Sequence, residues 1–271
     1  MKKAILILSA VLLITSATLA QKRETRNVST FTKISFQTAG KVYVKQGSPQ
    51  KVEIEGSAEA LEKIKTEVEG ERLTIGPENK WMNWNWSNND KVTVYITVSS
   101  IKALSVSGSG VLVAQTKITS AENMDLNVSG SGSLTAEIEA GEVDCDVSGS
   151  GGIEIKGKFK SVNADVSGSG TVSVNGTISG KADFEISGSG RVEASGSAES
   201  LRTDISGSGK VMGASLVVNT AKIDITGSGD VEITVNKDLD AEISGSGTVL
   251  YKGNPAHVNS NASGSGSVRK M

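Results

Sequence analysis

The chain is poor in the residues on which most catalytic and cross-linked proteins depend. It has one cysteine, Cys145, one histidine, His257, and 3 prolines in 271 residues. A single cysteine excludes an intramolecular disulfide framework. One cysteine and one histidine, far apart, leave no spacing for Cys/His metal ligation. His257 lies in "NPAHVNS" beside the turn-forming Asn254-Pro255 and reads as a surface-loop residue. Aromatic residues make up only 4% of the chain, which excludes a core built on large rings. Charge of either sign is not in excess, with 28 Lys and Arg against 30 Asp and Glu, so the electrostatic footprint of a nucleic-acid binder is missing. Glycine is abundant, yet neither G-x-G-x-x-G nor GK[ST] occurs, and no cofactor motif is present.

Long apolar runs are also scarce. The one at Ala4 to Ile14 is shorter than the roughly 20 residues that a membrane span needs. Lys2 and Lys3 precede it, and Ala17-Thr18-Leu19-Ala20 follow it before Gln21. This pattern reads as a secretory signal peptide over residues 1–20, with cleavage expected after Ala20 and an uncleaved membrane anchor as the alternative. No cysteine follows the cut to carry a lipid anchor, and no later segment is apolar enough to span. The expected location is the periplasm, the outer cell surface or the medium. An exported chain without disulfides must find its stability in packing, here of Val, Ile and Ala.

What is present is a repeat. SGSG units begin at Ser107, Ser129, Ser148, Ser167, Ser187, Ser206, Thr226, Ser244 and Ser263, at steps of 22, 19, 19, 20, 19, 20, 18 and 19. A flexible Gly/Ser linker has no such ruler; a solenoid does. Val, Ile or Ala precedes each unit, and Leu, Ile or Val lies five residues after its start, as in Val166 and Val172. Through the unit the inward and outward positions alternate, which is strand periodicity. A strand rises about 3.3 Å per residue, so nineteen residues must coil in order to restack. The reading is an all-β, right-handed parallel β-helix of about 19 residues per coil, its coils in register about 4.8 Å apart. Within "VSGSG", Ser167 and Ser169 face outward. Gly168 and Gly170 point inward, where a side chain would meet the opposite wall, and they permit a sharp bend or a positive φ. Cys145 falls in an inward slot held elsewhere by Ala164, Phe184, Thr203, Ile223 and Ala241, so it is read as a buried core residue.

Residues 21–100 lack SGSG but are rich in strands: "KVYVKQG", "KVEIEG", "ERLTIG" and "KVTVYITV". "SAEALEKIKTEV", from Ser57 to Val68, accommodates a short capped helix. This region is read as an N-terminal cap with the first, irregular coils, continuous with the SGSG solenoid at 101–271. At the other end, Arg269 and Lys270 would discourage end-to-end pairing.

The order of "RNVSTFTKISFQTAGKVYVKQGSPQKVEIEG", "LEKIKTEVEGERLTI" and "VTVYITVSSIKALSVSGSGVL", followed by GSG repeats, resembles the putative auto-transporter adhesin, head GIN domain family. These are secreted bacterial proteins common in Bacteroidota. The resemblance runs from about Val28 to the C-terminus. It implies a β-helical fold, export and an adhesin-like role, and it brings no catalytic motif.

Two features stand out as candidate sites. Two residues before successive SGSG units lie Asp146, Asp165, Glu185, Asp204, Asp224 and Glu242, flanked by Asn127 and Asn261, all outward on one face. Asp144, Asp183 and Asp240 join that face, and Arg202 and Lys222 relieve it locally. The face reads as a solvated, aggregation-blocking surface, with divalent-cation binding or acid/base hydrolysis of a polysaccharide as the alternatives. The second feature is "KWMNWNWSNND", where Trp81, Trp84 and Trp86, all the tryptophans of the protein, sit among Asn83, Asn85, Asn88 and Asn89. Such a segment either folds its rings over the end of the core or offers a stacking surface for a sugar or protein, and the two can coexist. The expectation is a non-enzymatic envelope protein that binds a surface glycan or envelope protein. The alternatives are a carbohydrate-active enzyme using the surface carboxylates, or a purely structural or ice-facing solenoid.

Overall fold

The computed structural model describes residues 21–78 and 91–271. Their fold is a β-solenoid of about nine turns with about 19 residues per coil. Alternation makes the strands, and breaks in alternation make the corners. In β13 (Gly152–Gly168), Ile153 and Ile155 point inward; Gly157 then turns the chain with φ +143°. Phe159 points inward on the next wall, and a second break at Lys160–Ser161 brings Val162, Ala164 and Val166 to the core on the third. The SGSG corner closes the coil.

Successive coils pair in parallel and in register, apart from local shifts where β17 (Lys210–Gly227) meets its neighbours. β10 (Ile118–Thr119) and β11 (Met124–Gly130) lie on β12 (Ser133–Gly149), β12 on β13, and β13 on β14 (Thr171–Ile178) and β15 (Lys181–Gly188). β16 (Arg191–Gly207), β17 and β18 (Asp230–Gly245) continue the stack. Cys145, Ala164, Phe184, Thr203, Ile223 and Ala241 therefore form one inward column. Cys145 is buried, and burial pushes its thiol well above the usual range, so it remains an unreactive core thiol.

The corner glycines differ from the expectation in their reason. Gly168 does adopt a positive φ, +116°. A Cβ there would meet the Gly149 carbonyl oxygen of the preceding coil at 2.8 Å, and one on Gly170 would meet Val147 Cγ1 at 2.4 Å. The obstacle is the coil beneath, not the opposite wall, because coils in a parallel stack lie closer together than opposing walls. A second glycine column, Gly157, Gly176 and Gly196, has no counterpart in the SGSG pattern.

The N-terminal coils are threaded out of sequence order. β2 (Lys33–Phe36) and β3 (Gly40–Gln46) lie between the coil formed by β6 (Arg72–Pro77) and β7 (Val92–Val98) and the coil formed by β8 (Ala103–Gly108) and β9 (Val111–Ala114). The excursion between them covers this end. β4 (Lys51–Gly56) pairs antiparallel with β7, β1 (Lys22–Thr25) with β4, and β5 (Ile64–Glu69) with β6. Helix α1 (Ala58–Lys63) is capped by Ser57, whose Oγ accepts from the Ala60 N–H at 3.1 Å, and it buries Ala60 and Leu61. The Arg26 guanidinium donates to the Leu61 carbonyl at 2.8 Å and ties α1 to the strand end.

At the other end, β18 carries β20 (His257–Gly264), and β19 (Thr248–Lys252) carries β21 (Ser267–Lys270). No described strand pairs beyond them. His257 is the first, exposed residue of β20, in register with Asp238, rather than a loop residue. The ladder of the preceding strand extends to it across the short turn at Gly253–Ala256.

Candidate functional site

In-register stacking converts the sequence offset of the acidic residues into adjacency. Asp146, Asp165, Glu185, Asp204, Asp224 and Glu242 form one outward column that ends on Asn261. A parallel column two residues earlier holds Asp125, Asp144, Asn163, Asp183, Arg202, Lys222, Asp240 and Asn259. A shallow depression of about 480 Å³ lies between the two columns, and another of about 390 Å³ lies between the first column and the corner residues Ser187, Ser206 and Thr226.

The second column relieves the first at two coils and relieves part of its own charge. Arg202 Nε donates to Asp204 at 2.8 Å, and Lys222 lies 3.8 Å from Asp224. Asn163 Nδ2 donates to Asp144 at 2.7 Å and to Glu142 at 3.0 Å, and Asn259 Nδ2 donates to Asp240 at 2.9 Å. These interleaved amides were not singled out from the sequence, although their place in the same 19-residue register marks them. An amide between carboxylates replaces repulsion by a charge-assisted hydrogen bond.

Among the described residues, Asp183, Glu185 and Asp204 form a close carboxylate group, with one oxygen of each within 4.8 Å of the others. Lys181 and Arg202 already pair with two of the three. Asp146 is crowded by three other carboxylates. Partial desolvation, and then the Asp165, Asp144 and Asp125 carboxylates, hold its acid above the usual range. Its ionised form is the one that folding disfavours, so the penalty grows as pH rises from the ordinary aspartate range through the raised value and is fully present above it. Asp146→Asn is expected to raise the melting temperature slightly at pH 7, since one such pair repels by about 1 kcal/mol in water and less in salt. The gain should vanish at acidic pH, where the wild-type carboxyl is protonated; melts across a pH series check it.

Trp81, Trp84, Trp86, Asn83 and Asn85 lie outside the described residues, as do residues 1–20, where a leader is expected. The two ends of the tryptophan segment are anchored. Glu78 N–H donates to the Lys63 carbonyl at 2.9 Å just after β6, and Lys91 precedes β7. Glu78 also borders a polar groove of about 380 Å³ between β1, α1 and β5.

The sequence model of the family described as "Putative auto-transporter adhesin, head GIN domain" matches residues 30–194 and 179–255. The chain belongs to the head GIN domain family. Solved structures share this solenoid fold over nearly the whole chain. A putative adhesin from Parabacteroides distasonis matches at 20% identity and a TM-score of 0.73, covering 93% of this chain and 97% of its own. A putative adhesin from Parabacteroides merdae matches at 22% and 0.71, covering 93% and 96%. A putative lipid binding protein from P. distasonis also matches at 22% and 0.71, with the same coverage. At these identities the likeness establishes the fold. No curated protein matches the sequence. No helix among the described residues is long and apolar enough to cross a membrane.

Proposed function

We propose that this head GIN protein is a non-enzymatic, exported module of the cell envelope that binds a surface glycan or an envelope protein through residues 81–86. The observation that carries this reading is the division of labour along the chain. The described coils present regular, repeating polar ladders, whereas every tryptophan falls in one segment held at both ends by paired cap strands. A rigid frame presenting aromatic and amide side chains suits stacking on sugar rings or docking into a protein surface. The adhesin description of the family supports binding over catalysis. A lipid ligand, as named for one structural relative, has less support, because stacked Phe184, Ile223, Leu239 and their neighbours fill the interior of the coils.

A glycan array followed by binding isotherms tests the reading. Trp84→Ala is expected to weaken binding at least about tenfold, the scale of an interfacial aromatic anchor, with an unchanged circular dichroism spectrum and melting temperature. Binding that survives alanine at Trp81, Trp84 and Trp86 together would remove the site assignment. Cleavage of a bound glycan that is lost on Asp165→Asn or Asp204→Asn would replace the binding role with an enzymatic one.

A further inference from the structure

The two ends of the solenoid are guarded differently. At the N-terminal end the outermost strands carry alternating charge, Lys22, Arg23 and Glu24 on β1 and Lys65, Glu67 and Glu69 on β5. Charged edges resist pairing with another chain. At the C-terminal end β20 is the terminal strand of the long wall, and its sequence, HVNSNASG, has no Asp, Glu, Lys or Arg. The change is local to this coil. One coil earlier, the same outward positions hold Asp240 and Glu242; here they hold Asn259 and Asn261. The core also stops short. Val258 is 43% exposed although Leu239, its register partner beneath, is 1% exposed.

We infer that the edge of β20 is a self-association surface, and that its partner is a second copy of this chain paired antiparallel about a two-fold axis through Ser260. The strand is self-complementary in that register. Val258 meets Ala262 of the other copy and Ala262 meets Val258, a larger side chain against a smaller one in both halves of the continued core. On the outer face Asn259 meets Asn261 and Asn261 meets Asn259, so the amides pair across the axis. Asn259 spends an N–H on Asp240 and keeps its amide oxygen for the other copy. Had the coil kept the carboxylates of its predecessor, like charges would stand directly opposite each other and oppose pairing. An isologous contact of this kind closes as a dimer and leaves no edge for a fibre. The axis maps the β20 wall onto itself and exchanges the other two walls. Arg269 and Lys270 on β21 therefore face the other copy's turn at 253–256 rather than their own images, so they block other end-to-end registers without blocking this one.

The test is the mass of the purified protein by light scattering across a concentration series, with charge variants. Wild type is expected to reach twice the monomer mass as concentration rises. Asn259→Glu with Asn261→Glu places like charges opposite each other and should weaken dimerisation at least tenfold. Asn259→Lys with Asn261→Glu places each lysine opposite a glutamate and should keep the dimer. A circular dichroism melt of each variant confirms that the coils remain folded. A wild type monomeric up to its solubility limit overturns the proposal. So does a dimer indifferent to the doubly acidic variant, or one lost equally in the mixed-charge variant.

Discussion

Gly157→Ala is expected to destabilise the fold by about 4 kcal/mol or more, among the largest effects a single methyl group produces. Two costs combine. Gly157 sits at φ +143°, where an L side chain is strained by about 1–3 kcal/mol. The added Cβ would also lie 1.8 Å from the Ile138 carbonyl oxygen of the coil beneath. No rotamer relieves that overlap, because both groups belong to the backbone. Relief requires the two coils to separate, which breaks ladder hydrogen bonds and opens the core to both sides. The column repeats the constraint, with a Cβ on Gly176 at 2.0 Å from the Gly157 oxygen and one on Gly196 at 1.9 Å from the Gly176 oxygen. Gly141→Ala is the internal control, since a Cβ there meets nothing within 4 Å. That change should stay within about 1 kcal/mol of wild type, on the stabilising side if the unfolded chain loses freedom. Urea melts of the two variants side by side decide the matter. A Gly157→Ala midpoint close to that of Gly141→Ala would show that the coils yield more easily than the stack geometry implies.

Phe184→Ala is expected to cost about 3–5 kcal/mol. Phe184 is fully buried, in a column where its neighbours in the adjacent coils are Ala164 and Thr203. Small residues below and above one large ring make a matched set, and neither neighbour can reach into the space the ring leaves. The walls cannot collapse either, since the ladder holds the coils at fixed spacing. The cavity therefore persists, and the cavity penalty adds to the lost transfer energy. Phe184→Leu keeps most of the volume and should cost clearly less. Equal losses in the two variants, measured by the same melts, would mean that the ring matters for something other than filling space.

The acidic column shows why so much was legible in advance. In a parallel, in-register solenoid, residues one period apart in sequence become neighbours in space. The period therefore predicts which carboxylates line up from Asp146 to Glu242, and that Cys145 shares a column with Ala164 and Phe184. The N-terminal coils defeat this logic. β2 and β3 are sandwiched between a coil that follows them only after β4, α1 and β5 and one that comes later still, and no local periodicity encodes that order. Asn163 and Asn259 illustrate a smaller gap: their register was readable, but their role depends on which carboxylate each amide reaches.

By itself, then, the sequence determined the coil length, the inward and outward faces, the strand class and the carboxylate columns. These follow from short-range alternation and a constant repeat, which the backbone's own geometry turns into structure. Tertiary structure alone decided how the first coils are threaded, which atom each glycine must avoid and which charges are paired. It also decided that the first end is covered by charged antiparallel strands while β20 lies open. Those features depend on distances between chain segments that no local pattern specifies, and they are settled only when one coil is laid on the next.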